Sequence, residues 1–374
     1  VFHRLDVVCG IGRDAFGEPR CSRPSYSDGV GARRRQALPG RPAGRPYIFF
    51  NKMEGKAMST LTENVMMQFR KFVDEKTGGN LESEEQLQAL LQEFMEKYNI
   101  SLDDAPPLSR ETAKTVYDWL ELAEQQKTKK ARRECLEKAK ALDPRNLDVL
   151  MQLLLLEKKQ FWEYIPEVQK MLALGKEDLK QRKLYRESMG DFYMVLETRP
   201  YMRVMHFYLE LLAGCGMIQQ AIAVAKEMLK LNKNDNLGIR FYLMALYVYS
   251  EDEFNARKLI RTFKDEEDSC LFTMPMALLK FRQGNWDEAK AILEKVKEQY
   301  KGFQTFLRDA VKGRDAFYDD EEMMDMYQPF TRSELVTMVL DFHFLWDTTQ
   351  QFFLWAKTVM GPERKRRVKK NSKE

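Results

Sequence analysis

Apolar side chains fall at three- and four-residue intervals along most of this chain, the spacing that gathers them on one face of a helix. Leu61, Val65, Met66, Phe69, Phe72 and Val73 form the first such stripe, closed by Gly78-Gly79-Asn80. Ser83 then stands where it can cap a second helix carrying Leu87, Leu90, Leu91, Phe94 and Tyr98. The pattern predicts a helical pair within residues 58–100, followed by a short linker, Asp103-Asp104-Ala105-Pro106-Pro107. From Ser109 to about Lys312 the amphipathic pattern is nearly continuous, with a break every 12 to 20 residues. Around residues 179–196 it predicts long helices. Beyond Gly313 an acidic patch, Asp319-Asp320-Glu321-Glu322, precedes residues 323–327, and Thr331 with Glu334 suits a capping box. Leu335, Val339, Phe342, Leu345, Trp346, Phe352, Phe353 and Trp355 then predict one long aromatic helix within 313–360, placed to cover the end of whatever precedes it.

The breaks repeat. Gly284-Asn285-Trp286-Asp287-Glu288-Ala289 supplies a glycine to end one helix, an asparagine and a glutamate to form a capping box for the next, a tryptophan to pack in the turn, and a small residue for a close crossing. Gly216-Met217-Ile218-Gln219-Gln220-Ala221 has the same form, and Glu253-Phe254-Asn255-Ala256 a weaker one. Ala221, Ala256 and Ala289 are therefore 35 and 33 residues apart. An earlier copy ends at Ala139, Leu142, Asp143 and Pro144, where the proline cannot continue a helix. These residues resemble the tetratricopeptide repeat family, whose unit is about 34 residues of paired antiparallel helices. The resemblance spans roughly residues 111–300 and rests on Ala139 with Pro144, Gly216 with Ala221, Ala256, and Gly284 with Trp286 and Ala289. The first-helix signature Trp-x-x-Leu-Gly-x-x-Tyr is absent, and the register lapses between 161 and 215. The resemblance implies a degenerate αα superhelix over 109–312, of four or five helix pairs with one irregular insertion, whose concave groove takes an extended or helical polypeptide.

Composition agrees with an all-α chain. Of 374 residues only 19 are Gly and 13 Pro, too few for the many tight turns of a sandwich or barrel, while 44% are apolar. The longest unbroken apolar run, 241–249, is nine residues, well short of the ~20 that cross a membrane. The first 51 residues differ from the rest: nine Arg, no Lys, seven Gly, five Pro and a local charge of +5, against 52 basic and 53 acidic residues elsewhere. Residues 1–57 therefore read as a disordered leader. It could be an extension foreign to the folded protein, a targeting leader, a basic nucleic-acid arm or a plain linker. Residues 361–374, with Arg364-Lys365-Arg366-Arg367-Val368-Lys369-Lys370, read as a disordered basic tail suited to nonspecific phosphate contact. Cys9, Cys21, Cys135, Cys215 and Cys270 form no CxC or CxxC pair, which predicts reduced thiols and a cytoplasmic setting. His3, His206 and His343 have no metal-ligand spacing. Gly10-Ile11-Gly12 lacks the third glycine of a dinucleotide loop, and no GxxxxGK[ST] or GxSxG segment occurs. No catalytic residue, metal site or cofactor is predicted.

One set of side chains suggests binding. Arg203, His206 and Glu210 lie at i, i+3 and i+7 on one predicted helix, and Arg240 and Arg282 take comparable places in later repeats. A groove lined by them would favour carboxylates or an acidic peptide. The plainer reading is a solvated helix face with intrahelical pairs. The 21 Met and the aromatics crowded at 241–249 read chiefly as core. The functional expectation is a non-catalytic scaffold that binds a protein or peptide in its groove. A nucleic-acid-associated regulator using the array and the basic termini is the alternative.

Overall fold

The computed structural model describes residues 57–78, 83–104, 108–157, 159–317 and 328–361. The leader up to residue 56, Ala105-Pro106-Pro107, residues 318–327 with the acidic patch, and the basic tail from residue 362 lie outside the described residues, as do His3, Cys9 and Cys21. Among the described residues there are 17 α-helices, three short 3-10 helices and no strand, so the fold is all-α. No described helix is long and apolar enough to cross a membrane. The chain divides into two compact units at Leu142 and Asp143, so the Asp143-Pro144 turn opens the second.

The first unit holds α1 (Ala57–Thr77), α2 (Glu84–Asp104), α3 (Val116–Gln125) and α4 (Lys129–Leu142). Gly78 ends α1 with φ +62°, and the Ser83 hydroxyl accepts a bond from the Gln86 amide at 3.1 Å. Phe69, Phe72 and Val73 pack with Leu87, Leu90 and Phe94, the predicted pairing of stripes. Thr115 and Asp118 form a full capping box on α3. α3 packs on α4, burying Leu120, Leu122 and Ala123 on one helix and Cys135, Leu136 and Ala139 on the other.

The second unit runs through α5 (Leu147–Leu155), α6 (Phe161–Gln181), α7 (Leu184–Glu187), α8 (Arg199–Gly214), α9 (Ile218–Leu231), α10 (Ile239–Tyr249), α11 (Glu253–Thr262), α12 (Cys270–Arg282), α13 (Trp286–Gln299), α14 (Phe303–Ala310), α15 (Arg332–Asp341), α16 (His343–Trp346) and α17 (Gln350–Met360). Three successive pairs, α8/α9, α10/α11 and α12/α13, share one turn. Gly216, Glu251 and Gly284 adopt φ of +72°, +55° and +76°. The next amide reaches back over the turn each time: Met217 to the Leu212 carbonyl at 2.8 Å, Asp252 to Tyr247 at 2.8 Å, Asn285 to Lys280 at 2.9 Å. This is the Schellman closure, which satisfies carbonyls the helix end would leave unpaired. Five residues after each left-handed residue comes Ala221, Ala256 or Ala289, all fully buried.

Five expectations need correction. Trp286 does not pack in the turn: it is 58% exposed. Asn285 does not cap α13; its amide instead donates to the Glu288 carboxylate at 2.8 Å. The stretch 179–196 is not long helix. α6 ends at Gln181, Lys183 turns left-handed at φ +62°, α7 lasts four residues, and Gly190 and Asp191 bridge to Asn232. The terminal aromatic helix is three helices, interrupted at Phe342 (φ −111°, ψ 39°) and again before Gln350. The Thr331–Glu334 box does not form: Thr331 makes no cap bond, and Glu334 instead accepts from the amide of Phe330, one residue before the cap, at 2.8 Å and from the Ser269 hydroxyl at 3.2 Å.

Glu251 is the only one of the three turn residues that carries a side chain in the left-handed region, where a Cβ costs about 1–2 kcal/mol. Glu251→Gly should therefore raise stability by about 0.5–1 kcal/mol, after the entropy lost to the added glycine. A Cβ on Gly284 would meet nothing within 4 Å. Gly284→Ala should thus lose about 1 kcal/mol from backbone strain alone. Urea unfolding of both variants checks this, and equal midpoints for wild type and variants would contradict it.

Candidate functional site

The first helices of the three pairs, α8, α10 and α12, carry the residues that suggested a binding groove. The structure treats them differently. Arg203 on α8 donates to Asp148 on α5 through two bonds, Nε to Oδ1 at 2.8 Å and Nη2 to Oδ2 at 2.6 Å, and both side chains are buried. Arg240 on α10 is more heavily engaged. It grips Glu266 with Nε and Nη2 at 2.5 and 2.6 Å, and Asp235 with Nη1 at 2.8 Å. Its guanidinium also lies over Phe241, 4.3 Å from the ring centre. Asp235, itself left-handed at φ +46°, accepts the Ile239 and Arg240 amides and so holds the start of α10. Burial pushes the Asp235 carboxyl upward, against the bonds from Arg240 and Ile239 that pull it down. These two arginines are internal ties between elements. Their guanidinium forks already hold carboxylates, so they do not stand open to an acidic ligand.

Arg282 differs. It makes two long bonds, to the Val248 carbonyl at 3.3 Å and the Thr348 hydroxyl at 3.5 Å, and neither is to a carboxylate. His206 and Glu210 do share a face, with Nδ1 3.5 Å from Oε2. They belong to a cluster that spacing did not reveal. Tyr242 on α10 is buried beside the His206 ring (6.3 Å between centres), has Phe342 on its edge (5.5 Å) and Phe344 stacked on its face (5.4 Å, 25° between planes). Phe344 also meets Tyr249 at 6.0 Å. Burial drives the Tyr242 hydroxyl well above its usual range, helped by the charges of Glu210 and Asp341. Burial lowers His343, with Arg314 adding to it against Asp347, Glu210 and Asp341. His206 and His343, 137 positions apart in the chain, thus both lie within the field of Glu210.

On α11, α12 and α13 a second group forms a closed ring of charge. Lys280, only 5% exposed, reaches Glu253 at 2.6 Å and Glu288 at 3.4 Å, and Arg257 reaches the same two carboxylates at 2.6 and 3.1 Å. Lys280 and then Arg257 hold the Glu253 carboxyl down at about 2. The ring ties the starts of two second helices to the end of the first helix between them. Around the same turns, Met217, Phe254 and Trp286 are 39%, 73% and 58% exposed. Among the described residues no group of three or more His, Cys, Asp or Glu is placed to hold a metal ion. Compared with protein-family models, with curated proteins and with solved structures, the chain matches none.

Arg203 therefore matters first to the fold. Arg203→Ala leaves the buried Asp148 carboxylate without its fork and should cost about 3–5 kcal/mol, whereas Arg203→Met with Asp148→Leu should recover most of it. Denaturant unfolding of single and double variants checks this. Equal losses in the single and double variants would show that the pair is not what holds α5 to α8.

Proposed function

We propose that the chain is a non-catalytic helical-repeat scaffold of tetratricopeptide type, whose helix pairs stack into a superhelix and hold a polypeptide partner. The observation that carries the reading is the repeated turn. Gly216, Glu251 and Gly284, spaced 35 and 33, share a left-handed conformation, a Schellman bond and a buried alanine five residues on. A device repeated at that interval is what a stack of equivalent helix pairs requires, and each pair buries its apolar face only against its neighbours. Such stacks present long surfaces that suit extended or helical peptides. On this reading Arg282 is the arginine that remains to anchor a carboxylate or a carbonyl of the partner, while Arg203 and Arg240 set the helices that present it.

The test uses the purified full chain. A polypeptide recovered by affinity capture and identified by mass spectrometry is remade pure, and its Kd measured by calorimetry against wild type and Arg282→Glu. The expected result is a micromolar or tighter Kd that weakens at least tenfold in the variant, as for an anchor at the centre of an interface. A chain that captures only nucleic acid, with affinity falling steeply in salt, would replace this reading with the nucleic-acid one.

A further inference from the structure

An end cap touches the last pair of an array; this C-terminal segment does more. α17 packs on α13 and α14, and α15 on α12 and α14, as a cap would. α16 reaches past them to α10, about a hundred residues earlier in the chain. There Phe342 and Phe344 meet Tyr242 from its edge and its face, Phe344 adds Tyr249, and Thr348 takes the long bond from Arg282. Residues two apart in a helix do not share a face, yet both phenylalanines reach one ring. They can because Phe342 is the break residue before α16 and has non-helical backbone angles. At the far end Asp347 pairs with Arg314 at 2.8 Å. The segment is thus a short acidic-flanked peptide, Asp341-Phe342-His343-Phe344-Leu345-Trp346-Asp347, laid over first helices of the array.

We propose that residues 341–348 occupy in cis the face that receives the partner, and that the partner is a peptide of the same chemistry: two aromatic side chains two positions apart with a carboxylate beside them. This rests on the scaffold reading above. Three features make exchange physically workable. The contact is aromatic stacking, one long polar bond from Arg282 and the partly exposed Asp347–Arg314 ion pair, with Phe344 and His343 only partly buried and Asp347 and Thr348 exposed. Breaks on both sides, at Phe342 and before Gln350, let α16 move without unwinding α15 or α17. Leu345 and Trp346, both buried, give the closed state its hold, so the face stays covered until a partner competes. A tethered occupant acts at an effective concentration of order millimolar, so it screens out weak ligands and admits only strong ones.

The test measures binding of a fluorescein-labelled synthetic peptide, residues 338–350 of this chain, to full-length protein. Phe344→Ser loosens the in-cis segment and should bind the peptide at least tenfold tighter than wild type. Phe344→Ser with Tyr249→Ser, which also alters the receiving face, should fall back to the wild-type value. Equal affinity for wild type and Phe344→Ser, or no binding to either, overturns the proposal. Hydrogen exchange on the wild-type chain needs no variant: amides of 343–348 should exchange at least tenfold faster than those of α15 and α17. Exchange of all three in one step would mean the segment is fixed structure and would also overturn it. A partner that binds wild type and Phe344→Ser equally would end the in-cis occupancy while leaving the scaffold reading intact; failure to recover any polypeptide partner would end both.

Discussion

Two helices can pack at their closest only if the chain reverses abruptly between them and nothing protrudes at the crossing. Both conditions meet in this protein in a six-residue device used three times. A left-handed residue at 216, 251 or 284 ends the first helix, its follower bonds back across the turn, and the buried alanine at 221, 256 or 289 lets the second helix approach. Much else in the second unit depends on this. α10 is enclosed by α9, α11, α12 and α16, and accordingly its residues from Tyr242 to Val248 are all buried. The aromatic and methionine residues crowded there are core, as their composition suggests.

The electrostatic ties follow from the same crowding. Helices held this close bring their ends together, and the charged groups at those ends must be paired or hydrogen-bonded. Arg203 with Asp148, Arg240 with Asp235 and Glu266, and the ring of Lys280, Glu253, Arg257 and Glu288 all join elements at helix ends. Where arginines stabilise the fold in this way, the surface left for a partner is narrower than the count of arginines suggests.

What was legible in the sequence was local. Gly216 and Gly284 announce left-handed turns because glycine alone adopts them without strain, and the alanines announce close crossings by their interval. The α1–α2 pairing was visible in two apolar stripes and one capping serine. What was hidden was of two kinds. Some breaks carry no glycine or proline: Lys183 turns left-handed as a lysine, and Phe342 interrupts a run of helix-compatible aromatics. So a single terminal helix and a long helix through 179–196 were the natural readings. The other kind is long-range pairing. Arg203 finds Asp148 from 55 residues away and Arg240 finds Glu266 from 26, distances at which spacing says nothing. Tyr242, Phe344 and His343 went unnoticed as a cluster for the same reason. Trp286 misled because an aromatic in the first turn of a helix reads as buried, whereas this one stands outward beside the buried Ala289.

Urea unfolding of Ala221→Leu, Ala256→Leu and Ala289→Leu, measured beside Ala223→Leu, is the most direct measurement of the crossing. Ala223 is exposed on the same helix as Ala221, so it reports the substitution without the crossing. If the three alanines are the points of closest approach, each leucine there should cost about 1–3 kcal/mol, since a packed crossing cannot admit the added carbons. Ala223→Leu should stay within about 0.5 kcal/mol of wild type. Buried variants that unfold at the wild-type urea midpoint would contradict the close crossing, and with it the repeat on which the reading of this protein as a scaffold stands.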